Sequence, residues 1–162
     1  MKKGLISLLS MGLGGTVGAA FGAVVVEKNM RESIKCECEL KERHMALFML
    51  MNRWVKAKQE NRSIAEYLLK NGYNNIAIYG MSYVGETLLN ELTGSEIDVK
   101  YAIDKKANEM YSDIELFSPD DKLKEVDAVI VTAITFYEEI EEMLAEKMDC
   151  PILSLENILD VI

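Results

Sequence analysis

The sequence has little of the chemistry that marks nucleic-acid-binding, disulfide-stabilised or metal-binding proteins. Its 162 residues carry 18 Lys and Arg against 27 Asp and Glu, a net charge of −9, and they form no local basic patch. An acidic surface repels phosphate backbones, so nucleic-acid binding is not expected. The three cysteines, including a C-x-C pair at Cys36 and Cys38, and the one histidine give neither a disulfide framework nor a metal-ligand set. We therefore expect no metal and a reduced, cytosolic setting for the soluble part.

Charged side chains are also absent from Gly4 to Val26. This run is long enough to cross the hydrocarbon core of a membrane, which takes about 20 residues as a helix. Gly14, Gly18 and Gly22 recur every fourth residue, a small-xxx-small pattern that favours close approach of two membrane helices. The pattern predicts a transmembrane anchor over residues 1–26 and a homodimer contact along this row.

Two other interpretations of this segment remain open. A cleaved signal peptide would share the Lys2-Lys3 start and the small residues at Ala19-Ala20, but its apolar core is usually shorter. The second alternative is that the segment lies on the membrane surface without crossing it. With a permanent anchor, the basic residues that follow it favour a single-pass protein whose C-terminal domain lies in the cytoplasm.

Proline and glycine are absent from Glu27 to Lys58, which predicts a helical stalk over residues 27–62. Towards its end the stalk acquires an apolar stripe at helical spacing. The stripe consists of Leu47, Met51, Trp54, Val55 and Lys58. This Met/Trp helix should pack on the following domain or on a second copy of itself. Ser63 and Glu66 have capping-box spacing and predict that a short helix, ending at Lys70, begins there.

Residues 63–162 alternate between short apolar runs and amphipathic segments, which predicts an α/β domain with a small parallel sheet of about five strands and flanking helices. The predicted strands are Asn75–Tyr79, Val99–Ile103, Ile114–Phe117, Ala128–Thr132 and one after Cys150. The predicted helices are Val84–Leu92, Phe136–Met148 and a closing turn at Glu156–Leu159. The fourth strand is the most apolar and should lie inside the sheet.

The most informative motif, Gly-Met-Ser-Tyr-Val-Gly, follows the first predicted strand. Its G-x-S-x-x-G spacing is close to the G-x-G-x-x-G fingerprint of dinucleotide-binding loops. Gly80 would allow a tight turn, Gly85 would let the helix approach the strand, and Ser82 replaces the middle glycine. The first helical residues, Tyr83 and Val84, add free amides for a phosphate group.

Two further residues extend the predicted cofactor site. Asp104 ends the second strand, where a carboxylate can accept hydrogen bonds from both hydroxyls of an adenine ribose. Its charge disfavours a 2′-phosphate, so NAD is favoured over NADP, although Lys105 and Lys106 weaken this inference. Thr132, at the end of the fourth strand, could contact a ribose or a phosphate, and for Thr135 a helix-capping role is an equal alternative.

These features resemble the nucleotide-binding half of bacterial nucleotide-sugar epimerases and dehydrogenases. They are still more similar to small stand-alone Rossmann proteins of surface-polysaccharide and glycosyltransferase systems. The matching segments are Asn75–Gly85, Ile103–Asp104, Asp127–Thr132 and Pro151–Leu159. The resemblance implies a Rossmann-like fold and NAD or a nucleotide-sugar as ligand, bound at Gly80, Ser82, Gly85 and Asp104.

The catalytic half of those enzymes has no counterpart here. Tyr101 and Lys105 have the Tyr-x-x-x-Lys spacing of short-chain epimerases, but they straddle a strand end, and we interpret the match as chance. No catalytic residue is predicted. The sequence favours a membrane-anchored nucleotide-binding module accessory to polysaccharide synthesis. The alternatives are an oxidoreductase or epimerase completed by oligomerisation, and a degenerate Rossmann domain that serves as a docking surface.

Overall fold

A computed structural model describes the backbone of residues 3–162 and the side chains of residues 30, 31 and 33–162. The chain divides into two compact units, Met1–Met45 and Ala46–Ile162. One long helix, α1 (Lys3–Gln59), begins in the first unit and ends in the second, and it includes the helix predicted for the stalk.

The predicted membrane span, Gly4–Val26, lies outside the residues whose side chains are described, and so does its row of glycines. Within the described part of the chain, no helix combines the length and the apolar character that crossing a membrane requires.

The second unit contains one parallel sheet. Its strands are β1 (Asn75–Tyr79), β2 (Asp98–Ile103), β3 (Leu116–Phe117), β4 (Ala128–Val131) and β5 (Ile152–Ser154). The five strands lie in the order β3-β2-β1-β4-β5, which confirms the predicted α/β class and parallel sheet. β4 lies between β1 and β5 and is buried along its whole length, as its apolar sequence predicted.

Helices cover both faces of this sheet. They are α2 (Ile64–Lys70), α3 (Tyr83–Leu92), α4 (Tyr137–Ala145) and α5 (Leu155–Val161), with 3-10 turns at Ala107–Glu109 and Ile134–Phe136. Side chains of β1 alternate, so Ile76 and Ile78 join the core under α2, α3, α5 and the end of α1. Ala77 and Tyr79 join the other core, under α4 and the connection from β3 to β4.

Helix α3 is bound to the sheet by the apolar face that its sequence predicted. Val84, Leu88 and Leu92 are all buried, and the last two are almost fully inaccessible. Burial of each such leucine contributes about 1.5–3 kcal/mol. Ile140 and Leu144 of α4 point inward in the same way, also as predicted. The helix that carries the glycine loop is therefore held firmly against the sheet.

The apolar stripe at the end of α1 packs on the domain, but it is rotated from the predicted position. The core-facing residues are Leu47, Leu50, Met51, Trp54 and Ala57. Val55, which we predicted to lie among them, is 52% exposed. The rotation places Trp54 so that its indole N–H donates to the Glu91 carboxylate of α3, which gives the buried donor a partner.

The predicted capping box at the start of α2 does not form. Ser63 is the N-cap residue, as expected, but its side chain makes no capping hydrogen bond. The Ile64 amide instead donates to Glu91 Oε1 at 3.4 Å. Lys58 also pairs with this carboxylate, at 3.1 Å, so Glu91 joins α1, α2 and α3.

Asp127 fixes the amino end of β4 to that of β1 and gives a prediction on acid stability. Its Oδ2 accepts hydrogen bonds from the amides of Asn74 and Asn75, at 2.9 and 2.7 Å. The bonds from Asn75 are the main reason that the pKa of Asp127 lies below its usual value. Because the pKa is lowered in the folded state, the carboxylate stabilises the fold at pH values above its pKa in the unfolded chain, about 3.9. This contribution is lost as the pH falls through the folded-state value.

We therefore expect Asp127→Asn to lower the melting temperature at pH 7. The difference in melting temperature between this variant and wild type should become smaller as the pH falls to 3. Thermal unfolding followed by circular dichroism across that range measures the difference. Asp113→Asn, at an exposed position, is the control and should match wild type throughout. A gap for Asp127→Asn that stays constant with pH would contradict the assignment.

Candidate functional site

The candidate site is the loop that leaves the carboxyl end of β1. The chain turns at Gly80 with φ +96°, in the left-handed region that favours glycine. A Cβ atom at this position would lie 2.8 Å from Oγ1 of Thr132. Torsion and space therefore both require glycine here, as the sequence motif predicted.

The second glycine of the motif fixes the approach of α3 to this loop. A Cβ atom at Gly85 would lie 3.0 Å from the carbonyl carbon of Gly80 and would overlap its oxygen. Because that neighbour is backbone and cannot move aside cheaply, only glycine lets the first turn of α3 pack here. This is the helix–strand packing role that the third glycine of the dinucleotide fingerprint performs.

Thr132 holds the loop from the side of β4. Its Oγ1 donates to the Gly80 carbonyl at 2.6 Å, and its amide donates to the Tyr79 carbonyl at 3.0 Å. The residue is only 2% exposed, and its hydroxyl proton is used within the protein. The structure thus gives Thr132 a loop-fixing role that the sequence did not indicate, and its contact with a ribose or a phosphate stays a prediction.

Asp104 holds the loop from the side of β2. Its Oδ2 accepts the Met81 amide at 2.9 Å, and its Oδ1 accepts the Lys106 amide at 2.8 Å. A carboxylate oxygen has a second lone pair, so each oxygen keeps the capacity to accept a hydroxyl. Asp104 faces the loop from the position that the sequence motif predicted.

The first turn of α3 presents its amides without a side-chain cap. Ser82 is the N-cap residue and is exposed, and its hydroxyl makes no capping bond. Tyr83 is 88% exposed, whereas Val84 is buried. The first amides of a helix have no intrahelical acceptor, and here no serine oxygen replaces it. The loop therefore offers backbone donors to an acceptor from outside.

Tyr79 is a residue near the site that sequence reasoning missed. It is 3% exposed, and its hydroxyl is buried without a hydrogen-bond partner among the described residues. Burial, followed by the charges of Asp104 and Asp120, raises the pKa of Tyr79. An unpaired buried hydroxyl costs about 1–3 kcal/mol, so this one is an unusual feature beside the ends of β1 and β2. Nothing in the sequence pointed to it, because a tyrosine in an apolar strand is normally a core residue.

The two residues of the Tyr-x-x-x-Lys match, Tyr101 and Lys105, lie in different environments. Tyr101 is fully buried in β2, and its hydroxyl donates to the Lys124 carbonyl at 2.5 Å. Burial raises the pKa of Tyr101 to about 12. Lys105 lies beyond the strand end and is exposed. The two side chains do not form a proton-transfer pair with access to a ligand.

Among the described residues, acidic, histidine and cysteine side chains do not gather into a metal site. No group of three or more His, Cys, Asp or Glu side chains there has the geometry to hold a metal ion. Cys36 and Cys38 are free and exposed.

Fold and site together define an α/β unit with a glycine-bounded loop at the carboxyl end of its middle strand. A family model described as C2185-like, N-terminal, matches residues 72–151 of this chain. The matched segment begins three residues ahead of β1 and ends at the residue ahead of β5, and it contains the loop, Asp104 and Thr132. No curated protein and no solved structure matches the chain.

The loop-fixing role of Thr132 gives a prediction on stability. Thr132→Val keeps the shape of the side chain but leaves the Gly80 carbonyl without its hydroxyl donor. We expect a loss of about 1–3 kcal/mol in the free energy of unfolding, measured with urea. Thr135→Val, at an exposed position in the same segment, should change it by less than about 0.5 kcal/mol. Equal effects of the two substitutions would show that the Thr132 hydroxyl does not fix the loop.

Proposed function

We propose that this protein is a membrane-anchored nucleotide-binding module in which the loop between β1 and α3 binds the phosphates of NAD or of a nucleotide-sugar. We infer an accessory role in bacterial surface-polysaccharide synthesis from the resemblance described above. The observation that carries the proposal is the loop itself. A turn that requires glycine is followed by a close-packed helix start whose first amides have no side-chain cap, and such amides suit a phosphate group.

The strand order supports a Rossmann-like interpretation of the domain. The order β3-β2-β1-β4-β5 is the first five strands of the dinucleotide-binding arrangement, 3-2-1-4-5-6. Ligands of open α/β sheets bind at the carboxyl ends of the strands, where the strand order reverses. In this sheet the reversal lies between β1 and β4, and the Gly80 loop lies at that edge.

Asp104 supports a ligand with a free ribose diol. Its carboxylate is already directed at the loop by the Met81 amide, so a sugar placed beside the phosphates would meet it. The negative charge disfavours an additional phosphate on that sugar, which favours NAD over NADP. Lys105 and Lys106 are exposed next to it and reduce this preference.

A binding module is favoured over a complete enzyme because no proton-transfer pair faces the loop in the described part of the chain. The module would present its ligand to a partner protein or to a second copy of itself. Gly14, Gly18 and Gly22 are the proposed contact within the membrane. Trp54 of the Met/Trp helix is buried in the domain. A dimer through that helix would therefore use its outer residues, of which Phe48, Met49 and Val55 are the exposed large apolar ones in the second unit.

The phosphate proposal is tested at Ser82, which is exposed at the centre of the loop. Ser82→Asp places a carboxylate where the phosphate would bind, so it should abolish nucleotide binding. It should not unfold the domain, because aspartate is a preferred N-cap residue and its charge is favourable at a helix start. Isothermal titration with NAD, NADP and UDP-glucose measures the affinity, and thermal unfolding checks the fold.

The matched control is Ser82→Asn, which has the same size without the charge and should keep most of the affinity. A second pair changes the backbone. Gly80→Ala should abolish binding, whereas Gly94→Ala, at φ +82° with open space around it, carries similar strain away from the loop. Binding that survives both Ser82→Asp and Gly80→Ala would remove the loop from the site. If the wild type binds no nucleotide, the docking interpretation replaces the module.

The proposed topology is tested with the native cysteines, which all follow the predicted membrane span. Cys36 and Cys38 are exposed, so a membrane-impermeant maleimide should label them wherever it reaches them. We expect no labelling in intact bacterial spheroplasts and full labelling after lysis. The double variant Cys36→Ser, Cys38→Ser is the control for the remaining label at Cys150. Labelling before lysis would place the domain outside the cytoplasm.

A further inference from the structure

A second concave site lies two strands away from the Gly80 loop. It is a depression of about 400 Å³ between the starts of α4 and α5, at the carboxyl ends of β4 and β5. Polar side chains in its lining are Thr135, Glu138, Glu139, Ser154, Glu156 and Asn157, together with Tyr137, whose hydroxyl donates to the Ile152 carbonyl. We call this depression the β4–β5 pocket. Neither the sequence motifs nor the family match assigns it a role.

Ser154 is the feature that points to a ligand in this pocket. It is 5% exposed, and it ends β5 as the N-cap residue of α5 without a capping hydrogen bond. Its alternation with Leu153, which belongs to the opposite core, directs its side chain towards α4 and the pocket. No described residue is hydrogen-bonded to its hydroxyl. Its side chain lines the pocket, so the hydroxyl is available to a bound group.

The charges around the pocket limit the class of that group. Glu138 and Glu139 are exposed and take part in no ion pair found among the described residues, whereas Glu156 pairs with Arg53. These carboxylates repel an anion. A metal cation is not favoured either, because among the described residues no group of three or more acidic side chains has the geometry to hold one. A neutral group rich in hydroxyls fits both constraints, because its hydroxyls can donate to the carboxylates and accept from the serine.

One wall of the pocket is apolar. Phe136 lines it and is 37% exposed, and Ile134 lies beside it, partly buried. An aromatic ring next to carboxylates matches a sugar ring, which presents C–H groups on its face and hydroxyls around its edge. The combination is less suited to a flat aromatic ligand, which offers few donors to three carboxylates.

The position of the pocket relates it to the loop. Thr132 bonds directly to Gly80, and the chain continues from Thr132 through Ile134 into the pocket wall. β5 lies two strands from β1, a separation of roughly 10 Å. We propose that the β4–β5 pocket binds the sugar of a nucleotide-sugar whose phosphates lie on the Gly80 loop. This inference rests on the function proposed above and selects the nucleotide-sugar over NAD as the ligand.

The test compares each nucleotide-sugar with its own nucleoside diphosphate on the full chain in detergent. UDP-glucose, GDP-mannose and dTDP-glucose are titrated beside UDP, GDP and dTDP, with NAD as a further ligand. At least one nucleotide-sugar should bind more tightly than its diphosphate. Ser154→Ala and Glu139→Gln should each weaken that binding about fivefold, the value of one hydrogen bond, and leave the diphosphate affinity unchanged. Glu142→Gln, on the exposed side of α4, is the matched control and should change neither affinity.

The outcomes separate this inference from the function on which it rests. If the nucleoside diphosphates bind as tightly as the corresponding nucleotide-sugars and Ser154→Ala has no effect, the sugar pocket is overturned and the phosphate site is retained. NAD binding that weakens in Ser154→Ala would assign the pocket to the nicotinamide end and also overturn it. Failure of every nucleotide to bind would overturn the proposed function and this inference together.

Discussion

The close approach of Gly85 to the Gly80 carbonyl determines the geometry of the whole carboxyl edge of the sheet. This contact allows the first turn of α3 to lie against the end of β1. With the helix so close, the chain must turn within a few residues, and the positive φ of Gly80 makes that turn possible. The same turn brings the Gly80 carbonyl to the Thr132 hydroxyl and the Met81 amide to Asp104. Strands β4 and β2 are thereby joined to the loop from opposite sides.

This arrangement also connects the loop with the β4–β5 pocket. Thr132 is the last residue before the segment that forms the pocket wall, so its hydrogen bond to Gly80 sets where that segment starts. On the far side, Arg53 of α1 pairs with Glu156 and Asp160 of α5 and so positions the helix that borders the pocket. The end of α1 is therefore joined to the second compact unit both by these ion pairs and by its apolar face. Rigid elements therefore carry both proposed parts of the binding site.

The sequence was sufficient for features that depend on local pattern and insufficient for those that depend on packing between elements. Strand and helix alternation predicted the sheet, and the glycine spacing predicted the loop, because each uses only neighbours along the chain. The buried face of α1 was predicted only in part, with Val55 included and Leu50 left out, since the domain that selects this face is distant in sequence. For the same reason the contact of Glu91 with the start of α2, the buried unpaired hydroxyl of Tyr79 and the position of Ser154 in a pocket could not be foreseen.

The net negative charge of the chain bears on how an anionic ligand would be held. In the described part of the chain, the loop residues Gly80 to Gly85 include no lysine or arginine, and Asp104 already contributes a negative charge beside them. Attraction to phosphate must then come from backbone amides and the helix dipole, which act over one turn rather than over a long range. Such a site discriminates by the position of the acceptor oxygens more than by total charge. A ligand with two phosphates and a neutral end satisfies this condition, because its neutral end is not repelled by the carboxylates of Glu138 and Glu139.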